Sequence, residues 1–258
     1  MDKIRDKKPL IALIGDLMID HYIWGDCKRI SPEAPVQVVD IAKESIVLGG
    51  AGNVANNLVA LDSRVDIYTV LGSDDNGNRA TKLLENLDIH CHYIIYENRR
   101  KTTKKSRVIA SNQQIIRIDD ETKEDIEEQS IDSIISKLQK NITNYDAILL
   151  SDYNKGVVTA RVALEVIELA NNHNIPILID PKGDNYDKYR GATLLTPNRS
   201  EASRAMGMAI DSLESTKEAT LKLKETLNLK YGLITLSEEG IAIFDESMSI
   251  VPTVAREV

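Results

Sequence analysis

The sequence predicts an α/β protein: a three-layer α/β/α domain on a mostly parallel sheet, with a small, separate β-sheet acting as a lid. Three observations predict it. Short apolar runs alternate with segments of helical period, the runs end in polar turn residues, and two stretches of β-type sequence follow one another without an intervening helix.

The elements follow in order. Pro9 to Ile14 reads as a buried strand stopped by Gly15-Asp16. Asn53 to Leu61 has Val54, Leu58 and Leu61 on one helical face, and the glycine-rich turn Leu48 to Gly52 opens it. Val65 to Leu71 is a second buried strand, closed by Gly72-Ser73-Asp74. A helix carries Ala80, Leu83, Leu84 and Leu87, and another carries Ile131, Ile134, Ile135, Leu138 and Ile142. The strand Ala147 to Leu150, a helix capped at Thr159 and the strand Ile175 to Ile179 come next. The strand Thr193 to Leu195, a helix from Ser212 to Leu227 and the strands Leu233 to Leu236 and Ser249 to Val254 complete the order. Val36 to Ile41, Cys91 to Glu97, Ser106 to Ala110 and Ile115 to Ile118 are the β-type runs without helices. The expected domain is thus residues 1 to 258, with lid strands within about 18 to 45 and 91 to 119.

Composition narrows the function classes. The 258 residues are 42% hydrophobic and 28% charged, with a net charge of −8, so a globular core is expected and a nucleic-acid partner is not. The apolar runs fall far short of the roughly 20 residues of a membrane span. The charged start, Met1 to Lys8, has no signal-peptide h-region, and a cytoplasmic location is expected. Cys27 and Cys91 form no CxxC pair and are expected to be reduced. In His90-Cys91-His92 a strand would put the cysteine on the face opposite the histidines, which argues against zinc. Trp24 is expected to pack in the lid.

In open α/β sheets ligands bind beyond the carboxyl ends of the strands. Those ends are polar here: Asp16, Asp74, Ser151-Asp152, Asp180-Pro181-Lys182, Thr196-Pro197-Asn198 and Thr235-Leu236-Ser237. Each alone reads equally as a turn or helix cap; together they mark one edge as a site. Gly49-Gly50-Ala51-Gly52-Asn53 could present backbone amides to a ligand or be a tight strand-to-helix turn, and it is neither a Walker A loop nor a dinucleotide fingerprint. Arg99, Arg100, Lys101, Lys104, Lys105 and Arg107 place six positive charges in nine residues. Such a cluster is a solvated hairpin tip or, turned inward, a phosphate site.

Gly15 to Asp20, the Gly49 to Ala55 turn and Asn198-Arg199-Ser200-Glu201 resemble the ribokinase-like (PfkB) carbohydrate kinases. Arg29 to Val36, Asn112 to Gln114, Leu150 to Gly156, Ile179 to Gly183 and Tyr189 to Asn198 look like the kinase half of the bacterial bifunctional heptose 7-phosphate kinase/adenylyltransferases. The resemblance runs over about residues 10 to 258. It implies a ribokinase-like fold and an ATP- and Mg²⁺-dependent kinase acting on the 1-hydroxyl of D-glycero-D-manno-heptose 7-phosphate. Another sugar kinase of this fold, or a non-catalytic sugar-phosphate-binding module, are the alternatives. A GAGD motif, whose Asp is the catalytic base of the family, is expected after Val258.

By the same resemblance Asp20, Gly49, Gly50 and Asn53 would contact the sugar, with Asp16 a weaker candidate because a strand-end turn also explains it. Asn198 and Glu201 match the family's NxxE, the Asn near the nucleotide phosphates and the Glu organising Mg²⁺ through water; a helix capping box is the other reading of that spacing. Thr235, Ser237 and Gly240 fall where the nucleotide-binding strand end and turn lie, although Glu238-Glu239-Gly240 also reads as a plain hairpin turn. Lys155 and Lys182 would contact nucleotide phosphate or else be solvated. Lys105 and Arg107, two apart in a β-type run and so able to share a face, would hold the substrate's existing phosphate, with Arg99 to Lys101 on a solvent-facing turn. Relatives pair lid to lid, so a homodimer is expected.

Overall fold

A computed structural model describes residues 8–253. The charged start and Val254 of the last expected strand lie outside the described residues. Six strands form a parallel sheet in the order β10-β9-β8-β1-β4-β5, where β1 is Leu10–Gly15, β4 Arg64–Gly72, β5 Ile94–Glu97, β8 Ala147–Ser151, β9 Ile177–Asp180 and β10 Leu194–Leu195. The strands are nearly continuous apolar runs because both faces are covered. On β1, Ala12 and Ile14 pack into one core cluster and Leu13 into the other.

Helices α1 (Ala51–Ala60) and α2 (Asp75–Glu85) cover the Leu13 side. Helices α3 (Glu128–Asn141), α4 (Ala160–Asn172), α5 (Arg199–Met206) and α6 (Leu213–Leu227) cover the other. Thr159 caps α4 by accepting from Val162 N, as its position before the apolar period predicts. An antiparallel sheet, β11 (Gly232–Thr235), β12 (Ile241–Phe244) and β13 (Met248–Val251), extends the main sheet through Tyr231 N to Thr193 O (3.0 Å) and Thr235 N to Pro197 O (2.9 Å).

A separate four-stranded sheet has the order β3-β2-β6-β7, from β2 (Leu17–Ile30), β3 (Gln37–Gly50), β6 (Lys104–Ala110) and β7 (Gln113–Asp120). Its first two strands are 14 residues each, far longer than the Val36 to Ile41 run. The expected lid strand Cys91 to Glu97 is a correction. Ile94–Glu97 instead pairs parallel with β4 at the edge of the main sheet, since β4, α2 and β5 make a βαβ crossover that returns the chain alongside its starting strand. No helix among the described residues is long and apolar enough to cross a membrane.

Candidate active site

The carboxyl ends of β1, β8, β9 and β10 lie along one edge of the main sheet, β1 runs directly into the four-stranded sheet at β2, and the loop between β8 and α4 is bonded to Asp16 at that junction, the seam between the sheets. Asp16 shapes that loop. Its carboxylate, 1% exposed, accepts from the backbone N–H groups of Tyr153 (2.8 Å), Lys155 (3.1 Å) and Val157 (3.0 Å). Burial raises its pKa, while those three bonds act the other way. Asp16 organises the loop, with both its oxygens engaged inside the protein. Asp152 does similar work: it accepts from Lys188 Nζ and Tyr189 Oη, each at 2.6 Å.

On one side of the seam lies a cleft of about 310 Å³ lined by Asp152, Tyr153, Asp180, Lys182, Thr196, Asn198, Glu201 and Thr235. Asn198 and Glu201 form a capping box on α5: Asn198 Oδ1 accepts from Glu201 N, and Glu201 Oε2 accepts from Asn198 N, both at 3.0 Å. Asn198 meets the cap with an amide oxygen where a hydroxyl is more usual. Glu201 keeps its other oxygen for the cleft, where Oε1 lies 3.6 Å from Lys182 Nζ. Asp180 titrates at about 6, raised first by desolvation and then by the negative charge of Glu201. A cleft lined by the two carboxylates Asp180 and Glu201 suits a cation. Mg²⁺ fits as a partly hydrated ion on one or two carboxylates with phosphate oxygens, and among the described residues no cluster of three or more His, Cys, Asp or Glu forms a cage.

Thr235 lines this cleft, but Ser237 and Gly240 fall in the turn beyond it. Gly240, at φ 109°, is required there because a Cβ would run into the Val251 carbonyl. The turn explains that glycine without a ligand.

On the other side of the seam, Asp20 and Arg107 are directly bonded, Oδ1 to Nη1 at 2.5 Å, and the guanidinium lies 5.3 Å from the centre of the Tyr22 ring. Register explains the meeting: β2 and β6 run parallel with Asp20 beside Lys105 and Tyr22 beside Arg107. Gly49 borders the pair, since a Cβ there would strike the Asp20 carboxylate. Gly50 forms the N-cap of α1 and Ala51 N donates to Asp16 O. Asn53 is not part of this group. It lines a groove with Leu48, Asn56, Leu83 and Leu87 from the first turn of α1.

Lys155 also differs from its expected place. Its ammonium pairs with Glu121 at 2.7 Å, and lies near Lys105, whose pKa is lowered by desolvation and then by the charge of Lys155. Burial works to raise the pKa of Glu121, but hydrogen bonds from Lys155 and Lys123 outweigh it and draw it down. Lys155 thus belongs with the four-stranded sheet and not with the cleft of Glu201.

Arg100 is a further correction. Only 7% exposed, it donates to Glu97 Oε2 (3.2 Å), Lys155 O (2.9 Å) and Glu124 O (2.5 Å), tying the β5–β6 and β7–α3 connections to the seam loop. It is not on a solvent-facing turn.

Tyr153 and Glu121 were absent from the expected site, and Asp152 and Asp180 entered it only as polar strand ends without a role. Tyr153 stands between the two sides: burial raises its pKa, followed by the charges of Asp180, Asp20 and Glu201. The polar strand ends at 151–153 and 180 were the available signal.

The pattern of the pfkB family of carbohydrate kinases matches residues 8–258. The bifunctional protein HldE of Sulfurimonas denitrificans is 54% identical over the whole chain, which covers 54% of that protein. HldE of Aliarcobacter butzleri is 55% identical over 98% of the chain and 53% of its own length. The chain spans about half the length of these curated relatives. Arabidopsis thaliana ribokinase complexed with ribose and ATP superposes with a TM-score of 0.73 at 18% identity, covering 95% of this chain and 78% of that one. Phosphofructokinase-2 from Escherichia coli, in its tetrameric inhibited form, gives 0.73 at 16% identity, covering 95% and 79%.

Proposed function

From the premise that the chain belongs to the pfkB family of carbohydrate kinases, we propose that it phosphorylates the 1-hydroxyl of D-glycero-D-manno-heptose 7-phosphate from ATP, giving the 1,7-bisphosphate for ADP-heptose and lipopolysaccharide precursor synthesis. The observation that carries this reading is the division of the site. One side is a cation-rich sheet face, where Arg107 and Lys105 flank the Asp20 carboxylate; the other is a carboxylate-lined cleft at Asp180 and Glu201.

Asp20 accepts sugar hydroxyls, Gly49 leaves room for them, and Arg107 and Lys105 hold the phosphate already present on the sugar. Lys182, Asn198 and Thr235 border the nucleotide phosphates, and Glu201 and Asp180 would hold Mg²⁺, which supplies neutralisation of phosphate charge when bound. Tyr153 spans the two. Phosphoryl transfer of this kind rests on positioning and charge neutralisation. The sugar oxygen bonds to the γ-phosphorus as the bond to ADP breaks. The hydroxyl proton passes to a base, the role that the family resemblance gives to the Asp of a GAGD motif.

We place the enzyme in the cytoplasm as a homodimer. The support is a sheet that exposes Ile41, Ile116 and Ile118 to solvent at 59%, 51% and 52%. The test is a binding assay with a panel of sugars with and without a terminal phosphate. Preference for the phosphorylated heptose is expected; equal affinity for both forms would refute the substrate assignment.

A further inference from the structure

Arg107 faces more than Asp20. Across the antiparallel pair of β6 and β7 it stands directly opposite Arg117. Like charges at directly opposed positions destabilise a sheet, so this pairing carries a cost in the unliganded protein. Each guanidinium is partly compensated by one carboxylate: Arg107 by Asp20, and Arg117 by Asp119 through Nη2 at 2.9 Å. Each has five N–H donors and leaves several unused by those bonds. The Arg107 pair is the sheltered one, with side chains 22% and 20% exposed, and the Tyr22 ring supports its guanidinium. Arg117 is 51% exposed and, among the described residues, is held only by its bond to Asp119.

We infer that Arg107 is a latch on Asp20, opened when the phosphate of a phosphorylated sugar seats between Arg107 and Arg117. This rests on the substrate reading above and explains how that substrate is chosen. In the unliganded site, Asp20 Oδ1 is engaged by the guanidinium, so an unphosphorylated sugar must compete with an ion pair for the carboxylate. A phosphate dianion meets both guanidiniums with bidentate geometry, relieves the opposed like charges and leaves Asp20 free to accept sugar hydroxyls. The phosphate then acts as the key to a carboxylate it does not itself touch. Arg117 is a specificity-determining residue by this account, and Tyr22 a positioning residue.

The experiment is calorimetric titration of the full chain with the heptose in phosphorylated and unphosphorylated forms, for wild type, Arg107→Gln and Arg117→Gln. Loss of one charge-assisted contact corresponds to about a ten- to hundredfold fall in affinity. Both variants are expected to lose that much for the phosphorylated sugar, while Arg107→Gln gains affinity for the unphosphorylated one, because Asp20 is released. Equal weakening toward both sugars in Arg107→Gln would overturn the latch. A second measurement does not depend on the identity of the sugar: inorganic phosphate should raise the melting temperature of the wild type and leave that of Arg117→Gln unmoved. Absence of that rise in the wild type, or its persistence in Arg117→Gln, would overturn the phosphate seat. The rise with loss only in the variant, alongside no uptake of either heptose, would support the seat and refute the heptose assignment.

Discussion

Asp16, Arg100 and Asp180 show how far identity alone predicts a role. Asp16 and Asp20 are both acidic residues beside the end of one strand, yet one is buried under three backbone donors and the other pairs with Arg107. Only the path of the 152–157 loop separates them, and no local spacing encodes that path. Arg100 lies among six basic residues that look alike in sequence, and it alone turns inward to a buried carboxylate. Arg100→Ala should therefore destabilise the fold by about 3–5 kcal/mol, since it leaves Glu97 buried with its charge partner gone. Urea denaturation checks this, and a change under about 0.5 kcal/mol, the usual range for surface positions, would mean the network is idle.

The raised pKa of Asp180 predicts a pH dependence with a definite sign. Its folded value of about 6 exceeds the ordinary 3.8, so folding favours the protonated acid. That contribution is lost as pH rises from about 4 through 6, and Asp180→Asn should flatten the stability curve over this window. A cation at Asp180 and Glu201 reverses the preference, so Mg²⁺-ATP affinity should fall as pH drops below about 6 in the wild type and depend less on pH in Asp180→Asn. Titration calorimetry at several pH values reads both.

At the scale of elements, the βαβ alternation was legible because buried parallel strands and amphipathic helices each carry their own period. β5 was misplaced because a four-residue run is too short for its period to tell an edge strand of the main sheet from a lid strand, and only its pairing partner distinguishes the two. The eight-residue helix α5 was visible through its opening tetrad, whose two readings both have support: the capping box is present, and Glu201 still presents an oxygen to the cleft. Asn198→Ala should cost about 0.5–2 kcal/mol through loss of the cap. It should also loosen Glu201 and weaken Mg²⁺-ATP binding, while sugar affinity stays near the wild-type value.

Across the whole molecule, the four-stranded sheet presents faces of opposite chemistry, one charged and one apolar. Alternation along β2 and β6 puts Asp20, Tyr22 and Arg107 on one face, and Ile23 and Val108 on the other with exposed Val36, Ile41 and Ile116. A second copy laid on that apolar face is the expected cover. Sedimentation at micromolar concentration should report a dimer, and Ile116→Lys should shift it to monomer; a wild-type monomer would refute the arrangement.

In the function proposed above, sugar and nucleotide occupy opposite sides of the seam held by Asp16. Calorimetry with heptose 7-phosphate and with Mg²⁺-ATP, on Asp20→Ala and Glu201→Gln, tests it most directly. Asp20→Ala should lose about tenfold or more for the sugar phosphate with nucleotide binding intact, as expected for a charge-assisted contact, and Glu201→Gln should do the reverse. Loss of nucleotide alone in both variants would contradict the division of the site.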